Sequence, residues 1–471
     1  MPVHPGNSDL SGKRITVMGL GRFGGGIGVT RWLADRGADV LVTDTSSADD
    51  LADSVAKIQP LIDHGRVSLR LGEHNVSDFT TCDMVVANAA VPTPWNNRFL
   101  RAAEAANVPI TTEIALLVGA LHTRGHKRII GITGSVGKST TTAMVHHALE
   151  ECLRPRSRRA LVGGNLGGSL LEHTESLSPD DWVVLELSSA MLYWIDRVLG
   201  DSGRFAPRVA VVTNISPNHI DWHGDLDHYR ASKQTLISRQ SSSDAVILGE
   251  AVRDWRSRSA ARAFDVNPAA FTADLRIPGQ HNRVNAAAAL AACRAAEPDL
   301  SPADLARAIA GFPGLPHRLQ LAAEGPLPRA GAALPRVRFY NDSKSTTPES
   351  AIKAVEALAE MPGVGRSRIH LIAGGYDKGS DLSAIASVSA DLAGLYTIGV
   401  TGPGIAAAAG GEARRAFACG TLDRAVSRAM ERMSPGDALL LSPGCASWDQ
   451  YVNFEQRGDE FVTLVRRLIR P

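Results

Sequence analysis

At 471 residues the chain is too long for one ordinary hydrophobic core, so two to four domains are expected. Hydrophobic residues make up 44% and charged residues 21%, the balance of a globular protein. The 50 basic and 49 acidic side chains leave a formal charge of +1, which excludes a general field for nucleic acid or an acidic membrane; an anionic ligand must be held by a local site.

The N-terminus, Met1 to Lys13, is polar and lacks the apolar stretch of a signal peptide. Apolar β-rich runs then alternate with Ala-rich helical stretches, the pattern of α/β domains with parallel sheets. The first unit reads as a strand at Arg14–Met18, a Gly-rich turn, a helix near Gly28–Arg36 and a strand at Val40–Asp44, with a further strand at Asp83–Ala87. Short, polar Thr123–Lys127 marks a boundary. A second unit opens with Arg128–Thr133, another Gly-rich turn and a helix from Lys138, followed by strands at Trp182–Leu187, Arg208–Asn214 and Ala245–Leu248. Arg154–Arg159 reads as a solvated loop. After an Ala-rich helix at Asn285–Ala296, Gly311–Pro316 marks the second boundary. The third unit carries strands near Val337–Tyr340, Ile369–Ala373, Tyr396–Val400 and Ala438–Leu441. The cysteines Cys82, Cys152, Cys293, Cys419 and Cys445 are scattered and odd in number, so neither a disulfide framework nor a cysteine zinc site is expected. No apolar run is long enough to span a bilayer. A cytoplasmic protein with no membrane or nucleic-acid partner is expected.

Both Gly-rich turns have the form of phosphate loops. Gly19-Leu20-Gly21-Arg22-Phe23-Gly24 is a full GxGxxG between a strand and a helix, and Asp44 ends the next strand. Such glycines let backbone N–H groups approach a diphosphate at a helix N-terminus. The pattern does not say whether the diphosphate belongs to NAD or to another nucleotide, and a bare structural turn stays open. The second loop, Gly131-Ile132-Thr133-Gly134-Ser135-Val136-Gly137-Lys138-Ser139-Thr140, resembles a Walker A but is shorter than GxxxxGK[ST], because position 132 is Ile. Lys138 would neutralise the β- and γ-phosphates, and Ser139 could ligate Mg²⁺. A lysine at a helix N-terminus is opposed by the helix dipole, and a bound anion would offset that. A dehydrogenase leaves the second loop idle and a plain NTPase leaves the first idle. A ligase acting on a nucleotide-linked substrate uses both.

Further motifs follow in order. They are Gly163-Gly164-Asn165, Glu186-Leu187-Ser188-Ser189, Asn214-Ile215-Ser216-Pro217-Asn218-His219-Ile220-Asp221 and Tyr229-Arg230-Ala231-Ser232-Lys233. Then come Gly279-Gln280-His281-Asn282 with Asn285, Pro316-His317-Arg318, and Asn341-Asp342-Ser343-Lys344-Ser345-Thr346. Last are Gly374-Gly375-Tyr376-Asp377-Lys378-Gly379 and the run from Leu441 through Trp448-Asp449 and Asn453-Phe454-Glu455 to Arg457-Gly458 and Phe461. Together with the Lys138 loop, these resemble the Mur ligases over nearly the whole chain, and within them the glutamate-adding branch. The sequence departs from that pattern in Gly24-Gly25-Gly26 with Gly28, in Val86-Ala87-Asn88-Ala89-Ala90-Val91-Pro92 where relatives usually read Ser-Pro-Gly or Asn-Pro-Gly, and in Thr347-Pro348.

The resemblance implies an α/β fold of three domains: an N-terminal Rossmann-like domain at 1–125 for the UDP substrate, a central P-loop ATPase-like parallel sheet at 126–316, and a C-terminal Rossmann-like domain at 317–471 for the amino acid. It implies a monomeric amide ligase that uses ATP and Mg²⁺ in peptidoglycan precursor synthesis. The substrates would be UDP-N-acetylmuramoyl-L-alanine and D-glutamate, joined through an acyl phosphate. Addition of L-glutamate or another amino acid, and a nicotinamide-dependent oxidoreductase, stand as alternatives. Carried over residue by residue, ATP would be held by Gly134, Ser135, Gly137, Lys138, Ser139, Thr140, Asn282, Asn285, Arg318 and Asp342. Gly19, Leu20, Gly21, Arg22, Asp44 and Asn165 would hold the UDP substrate, and Thr346, Lys378, Ser447 and Phe454 the amino acid. Ser139, Glu186, His219 and, if carbamylated, Lys233 would hold Mg²⁺. Lys138, His219 and Lys233 would act in catalysis. Trp222 and Trp448 are expected to pack.

Overall fold

The computed structural model describes residues 10–21, 24–200, 205–327, 334–377 and 379–469. Arg22 and Lys378 lie outside the described residues. Three sheets are present among the described residues. The first contains β1 (Arg14–Met18), β2 (Asp39–Asp44), β3 (Val67–Leu71), β4 (Met84–Ala87) and β5 (Ile110–Thr112), all parallel, in the order β3-β2-β1-β4-β5. The order reverses between β1 and β4, and the Gly-rich first loop leaves the carboxyl end of β1 at that point. Open α/β sheets take ligands in the crevice where strand order reverses.

The second sheet contains β6 (Ile129–Thr133), β7 (Ala160–Gly164), β8 (Trp182–Glu186), β9 (Val209–Val212), β10 (Ala245–Leu248) and β11 (Arg262–Asp265). It is parallel throughout, in the order β11-β10-β9-β6-β8-β7. With β6 between β8 and β9, Ile132 pairs with Glu186 and Thr133 with Val212. That register sets the loops after all three strands side by side. Strands covered on both faces read as unbroken apolar runs, as Val183, Val184 and Leu185 do, each fully buried. Burying a side chain of that size contributes about 1.5–3 kcal/mol.

The third sheet contains β12 (Gln320–Gly325), β13 (Val337–Asn341), β14 (Ile369–Gly374), β15 (Gly394–Ile398), β16 (Ala416–Gly420) and β17 (Ala438–Leu441), in the order β12-β13-β17-β14-β15-β16. Only β12 is antiparallel to its neighbour. Successive residues serve opposite faces: Phe339 and Leu441 pack with Phe461, whereas Tyr340 and Leu440 pack with Val355 and Leu371.

The chain forms two compact units. One holds residues 1–271 and 284–309, and the other holds 272–283 and 310–471. The first two sheets share the first unit, and their cores run together, with Leu20, Ile27, Leu117, Leu170 and Leu185 in one apolar cluster. The segment 272–283 groups with the C-terminal sheet, although the expected boundary falls at 316. Six strands have no counterpart in the sequence reading: β3, β5, β7, β11, β12 and β16. All six are sheet edges. An edge strand has one side open to solvent, so its apolar signal is weak.

Candidate active site

In the first unit, β6 runs into Gly134–Gly137 and then the helix Lys138–Leu153. Two glycines in the turn are required. Gly134 has φ 142°, and a Cβ there would stand 2.0 Å from Thr213 Oγ1; Gly137 has φ 84°, and a Cβ there would stand 2.4 Å from Asn285 Oδ1. The tip is fixed from β9's exit loop. Asn214 accepts from the Val136 N–H at 3.0 Å through Oδ1 and donates to the Val136 carbonyl at 2.9 Å through Nδ2, while Thr213 Oγ1 donates to the same carbonyl at 2.7 Å. Ser135 Oγ accepts from the Ser216 N–H at 2.9 Å and lies 2.8 Å from the Tyr229 hydroxyl.

Around this loop the structure gathers Ser139, Glu186, Asn165, Lys138, Lys233 and Asn285. Glu186 ends β8 and is 1% exposed. Its Oε1 accepts from Ser139 Oγ and from Asn165 Nδ2, each at 3.1 Å. Its Oε2 is buried with no hydrogen-bond partner among the described residues. A buried carboxylate oxygen without a donor is costly and calls for a cation or water. Lys138 Nζ donates to the Ser135 carbonyl at 3.1 Å. Lys233 reaches the loop from beneath, donating to the Gly134 carbonyl at 2.9 Å and Thr133 Oγ1 at 3.3 Å. Burial, then the neighbouring Lys138 charge, pulls its pKa down to about 7, against an opposing pull from Glu186. A lysine that is often uncharged at neutral pH is a nucleophilic amine able to take up CO₂. Asn285 accepts from Thr141 Oγ1 at 3.4 Å, beside Gly137. Thr140 is half-buried on the same helix.

His219 caps the short helix Ile220–His223 in the left-handed region, at φ 52°, and its ring is exposed. It lies 6.4 Å from the Tyr229 ring. Behind it is an aromatic cluster missing from the sequence reading, in which Trp95 packs edge-on against Trp222 and His228, and Tyr193 against the same two. Trp222 packs as expected. His223 links this cluster to the site, with Nδ1 2.9 Å from His228 Nδ1 and Nε2 2.9 Å from Ser189 Oγ. The first Gly-rich loop is closed by Asp44, whose Oδ2 accepts from the Gly21 N–H at 3.2 Å. Leu20 is fully buried and Gly19 sits at φ 94° against Asn88.

The second unit holds the remaining expected residues. Asp342 follows β13 and accepts from Ser442 Oγ at 2.8 Å and the Leu319 N–H at 3.1 Å; burial raises its pKa to about 7. Arg318 lowers it as a neighbouring charge. Ser447 is buried, Thr346 is half-buried, and the Phe454 carbonyl accepts from Ser343 Oγ at 2.7 Å. Lys344, which the sequence reading did not assign, places Nζ 5.3 Å from the Phe454 ring centre. Arg457 fixes this corner: it is 1% exposed and donates to the carbonyls of Ser343, Cys445 and Ala446. Asn282 donates to the Pro278 carbonyl. Trp448, expected to pack, is 61% exposed beside Tyr376.

Similarity to known proteins runs over nearly the whole chain. Residues 132–263 match the Mur ligase middle domain, and residues 329–445 match the Mur ligase glutamate ligase domain. The chain is 34% identical to the UDP-N-acetylmuramoylalanine–D-glutamate ligase of Acidobacterium capsulatum, covering 97% of each chain. It is 35% identical to the ligase of the same name from Anaeromyxobacter dehalogenans, covering 98% of this chain and 99% of that one. Among solved structures, the UDP-N-acetylmuramate–alanine ligase of Thermotoga maritima superposes with a TM-score of 0.54 at 19% identity, covering 97% and 99% of the two chains. The MurF ligase of the same organism in complex with ADP gives 0.50 at 15% identity, covering 98% and 99%. The chain belongs to the Mur ligase family.

Proposed function

We propose that this chain is the ATP-dependent ligase that joins D-glutamate to UDP-N-acetylmuramoyl-L-alanine in cytoplasmic peptidoglycan precursor synthesis. The observation that carries the reading is the constellation of Lys138, Ser139, Asn165, Glu186 and Lys233 around one phosphate loop. Sequence relatives bearing that ligase name support the choice of substrates.

A carboxylate is a poor electrophile, so amide synthesis needs activation. The γ-phosphoryl group of ATP passes to an oxygen of the alanine carboxylate, giving an acyl phosphate and ADP. The glutamate amine then attacks the carbonyl carbon, forming the C–N bond of a tetrahedral intermediate that loses a proton and expels inorganic phosphate. The difficulty is electrostatic: two unit charges 4 Å apart repel by about 4 kcal/mol at an effective dielectric of 20. Lys138 supplies a fixed positive charge at the loop, and the backbone N–H groups of Gly137 to Ser139 would receive the phosphates. Glu186 and Ser139 would hold Mg²⁺, and the unpartnered Glu186 Oε2 fits that role. The metal would neutralise the phosphate oxygens. Among the described residues no three His, Cys, Asp or Glu side chains form a metal cluster. Phosphate and water would complete the shell, as Mg²⁺ prefers. Lys233, carbamylated, would add an anionic oxygen donor to the same group. Arg318 and Asp342 would serve ATP, and Thr346, Ser447, Phe454 and Lys378 the amino acid. No helix among the described residues is long and apolar enough to cross a membrane.

The test is phosphate release with UDP-N-acetylmuramoyl-L-alanine, Mg·ATP and either D- or L-glutamate. Turnover that requires the muramoyl substrate and D-glutamate supports the reading. Equal turnover without either organic substrate rejects it, and preference for L-glutamate corrects the amino acid.

A further inference from the structure

Gly28 belongs to the unusual Gly-rich stretch, and its neighbour explains it. A Cβ at Gly28 would stand 2.5 Å from Ser169 Cβ. Ser169 closes the loop that starts at Asn165, so this loop packs directly on the first helix. At its start, the Asn165 backbone N–H donates to the Glu186 carbonyl at 2.9 Å and its side chain to the Glu186 carboxylate at 3.1 Å. At its end, Ser169 Oγ donates to Glu113 Oε1 at 2.6 Å. Glu113 follows β5 and lines a cavity of about 80 Å³ together with Met18, Gly19, Gly25, Asn88 and Met191. That cavity lies outside the carboxyl ends of β1, β4 and β5, at the reversal of strand order. Glu113 Oε2 has no hydrogen-bond partner among the described residues. Burial raises the Glu113 carboxyl to about 7, so near neutrality it carries a proton much of the time and can donate.

One five-residue loop therefore touches the nucleotide-site carboxylate at one end and the cavity carboxyl at the other. We propose that Glu113 contacts the saccharide portion of the nucleotide-linked substrate, and that Ser169 is a positioning residue through which this contact sets Asn165 against Glu186. The proposal rests on the function given above. A saccharide bearing hydroxyl and amide groups suits the carboxyl in either protonation state. A phosphate placed there would be repelled by the ionised form, and the N–H groups of Gly24 to Gly26 at the start of the first helix suit the diphosphate better.

The experiment is steady-state phosphate release by wild type, Glu113→Ala, Glu113→Gln and Ser169→Ala, with thermal melts of each. Removing either partner of the bond should raise KM for the UDP precursor about tenfold and lower kcat, the loss of one to two hydrogen bonds. KM for ATP and for glutamate should stay within about twofold, since neither contact is removed. Glu113→Gln keeps an acceptor for Ser169 and a donor for the sugar, so it should recover most of the loss. Folded Glu113→Ala and Ser169→Ala proteins with wild-type KM overturn the proposal, as does a Gln variant no better than Ala or an equal rise in KM for ATP. If Glu113→Ala does not fold, Ser169→Ala decides. A wild type with no precursor-dependent turnover removes the functional reading and this proposal with it; an active wild type with indifferent variants removes the proposal alone.

Discussion

Lys233→Met should make the metal-free protein more stable near neutral pH while removing its activity. The Lys233 side chain is 1% exposed, and its pKa is about 7 against an ordinary value of 10.5. The unfolded chain therefore binds a proton that the folded chain releases between these values. Stability falls as pH drops from 10.5 to about 7 and is level below. Each pH unit costs about 1.4 kcal/mol, so by pH 7 the burden is about 4 kcal/mol. Methionine removes it but leaves the Gly134 carbonyl without its donor, which costs about 1–3 kcal/mol. The variant should therefore gain about 1–3 kcal/mol at pH 7, and the gain should shrink by about 1.4 kcal/mol per pH unit above it. Urea unfolding of both proteins at pH 7, 8 and 9, in chelator and CO₂-free buffer, measures this slope. A difference that stays constant with pH would refute the reasoning.

Three further outcomes are expected. Lys138→Ala should lower turnover by about 10²–10³-fold with an unchanged circular dichroism spectrum, since the fixed charge beside the phosphates is lost; wild-type turnover would contradict the phosphate assignment. Glu297→Ala should cost about 3–5 kcal/mol in chemical denaturation while turnover per folded molecule is kept, because Arg128, Arg158 and the Trp182 indole N–H all donate to that carboxylate far from the phosphate loop. Burial and then His228 hold His223 at about 4 rather than 6.5, so stability should fall as pH drops from 6.5 toward 4. Acid titration of a His223→Gln variant should show a shallower decline over that window.

The legible parts of the molecule were those whose cause is local. β9, β10 and β17 announce themselves as unbroken apolar runs because both faces are covered, and the Gly134–Ser139 loop is a contiguous pattern. β11 is exposed at every position and β5 has three residues, so neither carries a period that a sequence can display. The loop's supports are also non-local: Ser135 meets Tyr229 94 residues away, and Val136 meets Asn214 78 residues away. Tyr229 and Asn214 stood within recognised motifs, yet their geometry with the loop was invisible. The glycine at position 28 looked like an anomaly until Ser169 supplied its reason. Glu113 gave no signal at all, being one acidic residue at the start of a helix.

The grip of Asn214 and Thr213 on Val136 has a kinetic consequence. A loop already stitched to its neighbouring strand need not organise itself around an arriving triphosphate, so little conformational entropy is lost on capture. Nucleotide association should then be a single concentration-dependent step, and cutting the Asn214 stitch would convert it into encounter followed by slow ordering.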